Sequence, residues 1–152
     1  MTEERLRVEA LIKKYRKTMP QITAQWDTSS IAVDHNDIHP DCLKDGVSLY
    51  YCSMDELWSG IYEPAIYDAN TLWSKKHDRN KIAKVIEAWE SGKALSPILI
   101  AQRGSTPFAV VPDGKHRLTV SRAIQEVEMP FMVLGDGPAW VSKAFPGAKR
   151  IL

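Results

Sequence analysis

The sequence predicts an α/β (α+β) domain, with a small mixed β-sheet flanked by helices. Three observations lead there. Apolar residues recur with helical period from Thr2 to about Lys17 and from Asp78 to Trp89. Short β-favouring runs, Val47–Cys52, Pro97–Ala101, Phe108–Val111 and Pro130–Leu134, stand between turn-forming residues. The third run passes through Pro112, Asp113 and Gly114 directly into an amphipathic segment carrying Val120, Ala123, Ile124 and Val127, which reads as a strand, a glycine turn and a helix.

In chain order, Val8, Leu11, Ile12 and Tyr15 define one face of the first helix. Thr2 is positioned to cap it, Glu3 and Glu4 suit its positive end, and Pro20 stops it. Gln21 to Gly46 shows no clear period, apart from a short strand expected at Ser30–Asp34, and is expected to wrap over the core with Trp26 as an anchor. After the strand Val47–Cys52, Ser53-Met-Asp-Glu56 matches a capping box, so a short helix runs to about Gly60. Ile61 to Asn70 reads as a connection. Ile82, Val85, Ile86 and Trp89 share a helical face that ends at Ser91-Gly92. The two runs after it, joined by Gln-Arg-Gly-Ser-Thr-Pro, suit a hairpin. The glycine- and proline-rich tail from Gly135 is expected to contribute one helical turn around Trp140 and Val141, docked on the core.

Length and composition narrow the function classes. A chain of 152 residues, 44% hydrophobic, suits a single domain spanning 1–152. Its 20 lysines and arginines against 19 acidic residues give a formal charge of +1, so any nucleic-acid contact is local rather than driven by a global basic field. Two cysteines are too few for a disulfide scaffold, and the chain opens on a charged helical segment; the expected location is cytoplasmic. No apolar run approaches the roughly 20 residues of a membrane span.

The segment most like a site is Val111 to Leu118. A glycine before a helix lets a ligand approach the main chain, and the helix start offers unpaired N–H groups with partial positive charge. Lys115, His116 and Arg117 add side-chain donors. An anion fits there, above all a phosphate. Asp113 is a candidate metal ligand or orienting carboxylate, and equally a turn aspartate before glycine. Thr119 either adds a hydroxyl to the ligand or bonds back to its own helix. His35, His39, Cys42 and Cys52 offer four zinc-ligand types in a spacing that matches no known finger and reads better as ordinary loop residues. Trp73 beside Ser74-Lys75-Lys76-His77 forms the best local aromatic and basic patch, a candidate for stacking unpaired bases or simply a helix surface.

With these elements in order, residues 48–134 resemble the ParB N-terminal domain and sulfiredoxin superfamily, often labelled ParB-like nuclease. Residues 1–47 are then an N-terminal extension and 135–152 a tail. The resemblance lies in Met54-Asp-Glu-Leu57, Trp89-Glu-Ser-Gly92, Pro97-Ile-Leu-Ile100, the run Phe108 to Ala123 with its Asp-Gly-x-His-Arg-Leu core, and Met129-Pro-Phe-Met-Val133. It implies the ParB/sulfiredoxin-like fold, and nucleotide phosphates bound by Gly114, Lys115, His116, Arg117 and Thr119. Kinase-like members carry a catalytic glutamate in the region of Glu63, with Asp68 as its nearest competitor. Sulfiredoxins place a cysteine where this chain has Lys115, so that reaction is set aside. The residues after Leu134 are too few for the helix-turn-helix domain of a partition protein.

The expected activity is metal-assisted phosphoryl chemistry, either nucleotide hydrolysis or DNA phosphodiester cleavage. ATP or CTP would be ligand or substrate, Mg2+ the metal, and Glu63, Asp113 and His116 the catalytic residues. The alternative is a non-catalytic module that binds nucleotide or another protein, as plasmid or phage relatives do. Expected partners are therefore a nucleotide, with DNA or a protein in addition, and no membrane.

Overall fold

A computed structural model describes residues 2–29, 46–62, 72–74 and 77–152. Its elements are α1 (Glu3–Lys17), β1 (Val47–Ser53), α2 (Met54–Gly60), α3 (Arg79–Glu90), β2 (Ile98–Gln102), β3 (Ala109–Asp113), α4 (Lys115–Ala123), β4 (Glu128–Leu134), α5 (Trp140–Ala144) and β5 (Lys149–Arg150). The strands form one five-stranded mixed sheet in the order β3-β2-β4-β1-β5. The α/β class expected from the sequence is the observed one. The strand expected at Ser30–Asp34 lies outside the described residues.

Sheet register follows from burial. β1 and β4 run antiparallel from Val47 opposite Leu134 to Ser53 opposite Glu128. Tyr50, Cys52, Met129, Phe131 and Val133 thereby fall on one buried face, where Ile98, Ile100, Ala109 and Val111 join them. Leu49, Leu99 and Met132 alternate onto the other face. β2 pairs parallel with β4 and antiparallel with β3. The β2–β3 register slips between Leu99 and Ala101, an irregularity that bends the strand next to Asp113 and Gly114. Pro112 has no N–H to give a ladder and sits in β3, at the end of the strand order. The outer side of β3 is met at Ala109, whose carbonyl accepts from the Tyr62 N–H at 2.8 Å.

Helix α4 is buried on two sides. Leu118 enters the sheet cluster, while Val120 enters a second cluster built from Val8 and Tyr15 of α1 and Ile82, Val85, Ile86 and Trp89 of α3. The helical faces expected for α1 and α3 are those that pack here. Trp89 is core, with its indole N–H donating to Gln25 O at 2.9 Å and its ring edge-on to Trp26. Thr2 and Asp78 cap α1 and α3 as hydrogen-bond acceptors from the first-turn N–H groups. α1 stops at Lys17, before Pro20 is reached.

Three local expectations are corrected. α4 ends at Ala123, short of Val127, because the chain must reverse to enter β4: Gln125 takes a positive φ of 61° and Val127 is 80% exposed. The capping box at Ser53 is one-sided. Ser53 Oγ accepts from Glu56 N–H at 3.2 Å, but the Glu56 carboxylate accepts from the distant Gly147 N–H and approaches the Cys52 thiol at 3.8 Å. The tail holds the expected helical turn and also β5, a short strand paired with Tyr50 and Tyr51 that the sequence pattern did not reveal.

The tail closes the sheet cluster through Phe145, whose ring is fully buried against Phe131 at 5.2 Å between centroids. Gly60 makes room for it, since a Cβ there would lie 2.7 Å from Ala144 O and closer still to the Phe145 ring. Phe145→Ala is expected to cost about 3 kcal/mol in urea unfolding. Val127→Ala on the exposed turn should leave the midpoint unchanged.

Candidate functional site

The end of β3 and the start of α4 are joined by a single residue, Gly114, with φ 96° and ψ 15°. This left-handed conformation disfavours any residue with a Cβ. Space adds a second restriction: a Cβ on Gly114 would fall 2.6 Å from Ile98 Cγ2 and 2.8 Å from Arg117 Nη2. α1, α2 and α3 begin on capping side chains from Thr2, Ser53 and Asp78. α4 begins on a glycine that offers none, and its first intrahelical bond is Leu118 N–H to Gly114 O at 2.9 Å. The donors of the first turn are left to the surroundings.

Arg117 lies across this start. Its Nη2 is 3.3 Å from Asp113 Oδ2, a pair spaced i, i+4 across the glycine turn, and 3.5 Å from Pro97 O. Its side chain is only 18% exposed, and Nε is buried with no hydrogen-bond partner. Leaving a buried donor of a charged group unpaired costs on the order of 1–3 kcal/mol. Asp113 is more open than its partner and has its second oxygen uncommitted to Arg117.

His116, the second residue of α4, is half-buried. Burial holds its pKa below the ordinary imidazole value; Lys81 and Lys115 push the same way, Asp78 opposes them, and His77 adds a small further lowering. Charged residues at the start of α3 thus lie within electrostatic reach of the start of α4, and Lys81 and Lys115 both disfavour the charged form of the imidazole. Asp78 carries the nearby negative charge, and its carboxylate is engaged in capping Asn80 and Lys81 N–H at 3.0 and 3.3 Å.

No family model matches the chain, and no curated protein or solved structure matches it either. The geometry thus carries the reading.

Of the residues singled out from sequence, Asp113, Gly114, Lys115, His116 and Arg117 are brought together. Thr119 is not: it is buried, and its hydroxyl donates to Lys115 O at 2.7 Å, the bond back to its own helix. Glu63 and Asp68 lie outside the described residues, as do His35, His39 and Cys42. Cys52 is buried, and burial, with the Glu56 carboxylate beside it, pushes its thiol up to about 12, so it is no thiolate nucleophile near neutrality. Trp73 packs against the α1–α3 cluster, and its carbonyl accepts from Arg79 Nε at 2.9 Å; Lys75 and Lys76 lie outside the described residues. Among the described residues, no three His, Cys, Asp or Glu side chains gather to hold a metal ion, and no helix is long and apolar enough to cross a membrane.

Lys81 is the charge acting on His116 that sequence reasoning missed. The available signal was its place one turn into a helix whose start follows His77 and Asp78. Its relation to His116 depends on how α3 packs on α4.

Two outcomes test this geometry. Gly114→Ala should destabilise the fold by about 2 kcal/mol, from backbone strain and the clash with Ile98 together. For His116 the lowered pKa means that the unfolded chain takes up a proton before the folded one does. Its contribution to stability is full above the ordinary imidazole value and is lost as pH falls through the lowered one. Denaturation midpoints between about pH 7.5 and about pH 5 should fall more in the parent than in His116→Gln.

Proposed function

We propose that the chain binds a nucleotide through its phosphates at the start of α4. The observation that carries this is the conjunction at the β3–α4 turn: a helix that starts on a glycine with no side-chain cap, the Arg117 guanidinium beside it on Asp113, and Lys115 and His116 in the first turn, with Lys81 in electrostatic reach of His116. Phosphate oxygens would accept from the N–H groups of the first turn and from these side chains, and charge-assisted bonds of this kind are the strong ones. The resemblance of the Asp113–Leu118 segment to ParB and sulfiredoxin-like proteins supports the same ligand, on sequence grounds.

Phosphoryl chemistry is the further step of this reading, as nucleotide hydrolysis or phosphodiester cleavage. The residues fit a metal in one way only. Mg2+ carried by a nucleotide needs one or two protein carboxylates, not a cage, and Asp113 has an oxygen that Arg117 does not use. Such an ion would neutralise charge developing on the phosphate oxygens. Arg117 would orient the phosphate beside it, and the first-turn N–H groups would hold it without reorganising. A non-catalytic binding module is the second reading. It is favoured by the engagement of both described carboxylates at this point, Asp113 with Arg117 and Asp78 with its own helix.

A thermal-shift panel of ATP, ADP, CTP and GTP with Mg2+, followed by product analysis and by nuclease assays on single- and double-stranded DNA, separates these. A nucleotide should raise the unfolding temperature, and Arg117→Ala should weaken its binding by at least about tenfold. Product points to phosphoryl chemistry; binding without product points to the module. Equal binding and turnover by the His116→Ala, Arg117→Ala double variant would remove the site altogether.

A further inference from the structure

We propose that the β2–β3 hairpin and the chain from α2 to Tyr62 form a stacking surface for single-stranded nucleic acid. Two arginines, Arg103 and Arg122, each lie over an aromatic ring there and offer planar cations to bases and phosphates. The surface shares no residue with the α4 start and does not depend on the phosphate reading of that turn.

Backbone pairing builds it. Ile61 follows α2 into the buried sheet cluster, and the next N–H, from Tyr62, donates to Ala109 O at 2.8 Å, which brings Tyr62 to the root of the hairpin. At the same root the Arg103 N–H donates to Phe108 O at 2.9 Å, so residues 103 and 108 stand side by side. The Arg103 guanidinium carbon lies over the Tyr62 ring, 3.7 Å from its centroid, and the Phe108 ring is 6.3 Å from Tyr62 between centroids, tilted by 58°. Alternation along β3 turns Ala109 and Val111 into the core and leaves Phe108 outside, 43% exposed. It is the one aromatic among the large apolar side chains left exposed in the described residues.

A second pair repeats the arrangement. Arg122, in the last turn of α4, lies over the Trp58 ring of α2 at 4.7 Å from its centroid. Trp58 and Tyr62 are four residues apart in the chain, so their Cα atoms are separated by no more than about 14 Å. One short strand can therefore reach both pairs.

Charge selects the partner. Arg103 is the only charged residue between Pro97 and Pro112, so the hairpin offers an anion no competing carboxylate of its own. Arg122 pairs with Asp55 at 3.7 Å, but that carboxylate is fully exposed, and a polyanion displaces such a pair at little cost. Exposed rings alone would suit an apolar peptide, and exposed cations alone any anion. Guanidinium planes stacked on rings suit bases joined by phosphates: the free faces take a base and the N–H edges take phosphate oxygens. The bases must be unpaired, since a duplex keeps its base faces stacked inside.

The test is fluorescence anisotropy of labelled probes with the full chain. The probes are oligothymidine and oligouridine of about 12 nucleotides, a duplex of the same length, and an oligo-glutamate of the same charge. The chains are the parent, Arg103→Ala, Arg103→Lys, Phe108→Ala and the His116→Ala, Arg117→Ala double variant. Both single strands should bind the parent, at least about tenfold more tightly than the duplex or the oligo-glutamate. Phe108→Ala should weaken strand binding by about tenfold and leave its salt dependence unchanged. Arg103→Ala should weaken it and also lower the slope of log affinity against log salt by about 0.7, one phosphate contact on a single strand. Arg103→Lys should restore the slope but not the affinity, and the double variant should bind as the parent does. In the parent itself, a strand carrying 4-thiothymidine should photocrosslink to peptides containing Tyr62 or Phe108, an arm that no poorly folded variant can obscure.

A parent that binds neither single strand overturns the proposal, and a nucleotide response in the thermal-shift panel would then leave the α4 phosphate reading standing. Duplex bound as tightly as single strand removes the stacking role, and oligo-glutamate bound as tightly makes the surface one for acidic protein; either overturns it. So do affinities unchanged in both Arg103→Ala and Phe108→Ala, or crosslinks confined to other segments. Strand binding lost in the double variant assigns it to the α4 start and overturns the proposal likewise.

Discussion

Ile98 lies so close to the backbone at residue 114 that the position holds no Cβ, and the φ of 96° there penalises one even in open space. From this contact the placement of α4 follows. The helix leaves β3 with no intervening loop, so its direction is set by a single residue and by the irregular β2–β3 pairing next to it. Leu118 is thereby directed into the sheet and Val120 into the α1–α3 cluster, and α4 becomes the layer that both clusters share. Any displacement of the turn would move apolar side chains in two cores at once, each worth on the order of 2 kcal/mol in burial.

The same turn concentrates donors that the protein does not fully satisfy. A serine or aspartate at position 114 would cap the helix but could not take up the backbone without strain. Glycine relieves the strain and leaves the first-turn N–H groups without a side-chain acceptor. Arg117 partly compensates through Asp113, yet its Nε stays buried and unpaired. The turn is thus short of hydrogen-bond acceptors and carries positive side chains, and both features arise from the packing that holds α4 in place.

What the sequence made legible is what depends on neighbours along the chain. The period of Ile82, Val85, Ile86 and Trp89, the β-favouring runs of β1 and β4, the cap at Thr2, and the glycine before Lys115 are all local signals. What was not legible depends on partners far away in sequence. Glu56 leaves its own capping box because Gly147 offers a donor from the tail; β5 exists because β1 has an unpaired edge; Lys81 comes within electrostatic reach of His116 because α3 packs on α4. Val127 continued the helical spacing on paper, but entry into β4 at Glu128 required the chain to turn first. Tertiary geometry overrode a period that was correct for the residues before it.

The dependence of Lys81 on packing also ties the site to the α1–α3 cluster. α3 is held to α1 by apolar contacts and by ionic and hydrogen-bond links at the surface, Arg7 to Glu87 and the Tyr15 hydroxyl to Glu90 at 2.9 Å. Exposed pairs such as the first contribute little to stability on their own, and the buried face of Ile82, Val85, Ile86 and Trp89 sets the rotation of α3 and hence which of its residues turn toward α4. The Asp78 cap then fixes where that helix begins, and with it the height of Lys81 and His77 relative to His116. Charge at the α4 start is accordingly shared between two helices joined through Val120, Ile82 and Ile86, rather than carried by one loop. A shift of α3 by part of a turn would leave Gly114 and Arg117 in place and still change the environment of His116, so the electrostatics of the site report on the packing of a helix that contributes none of the Gly114 turn.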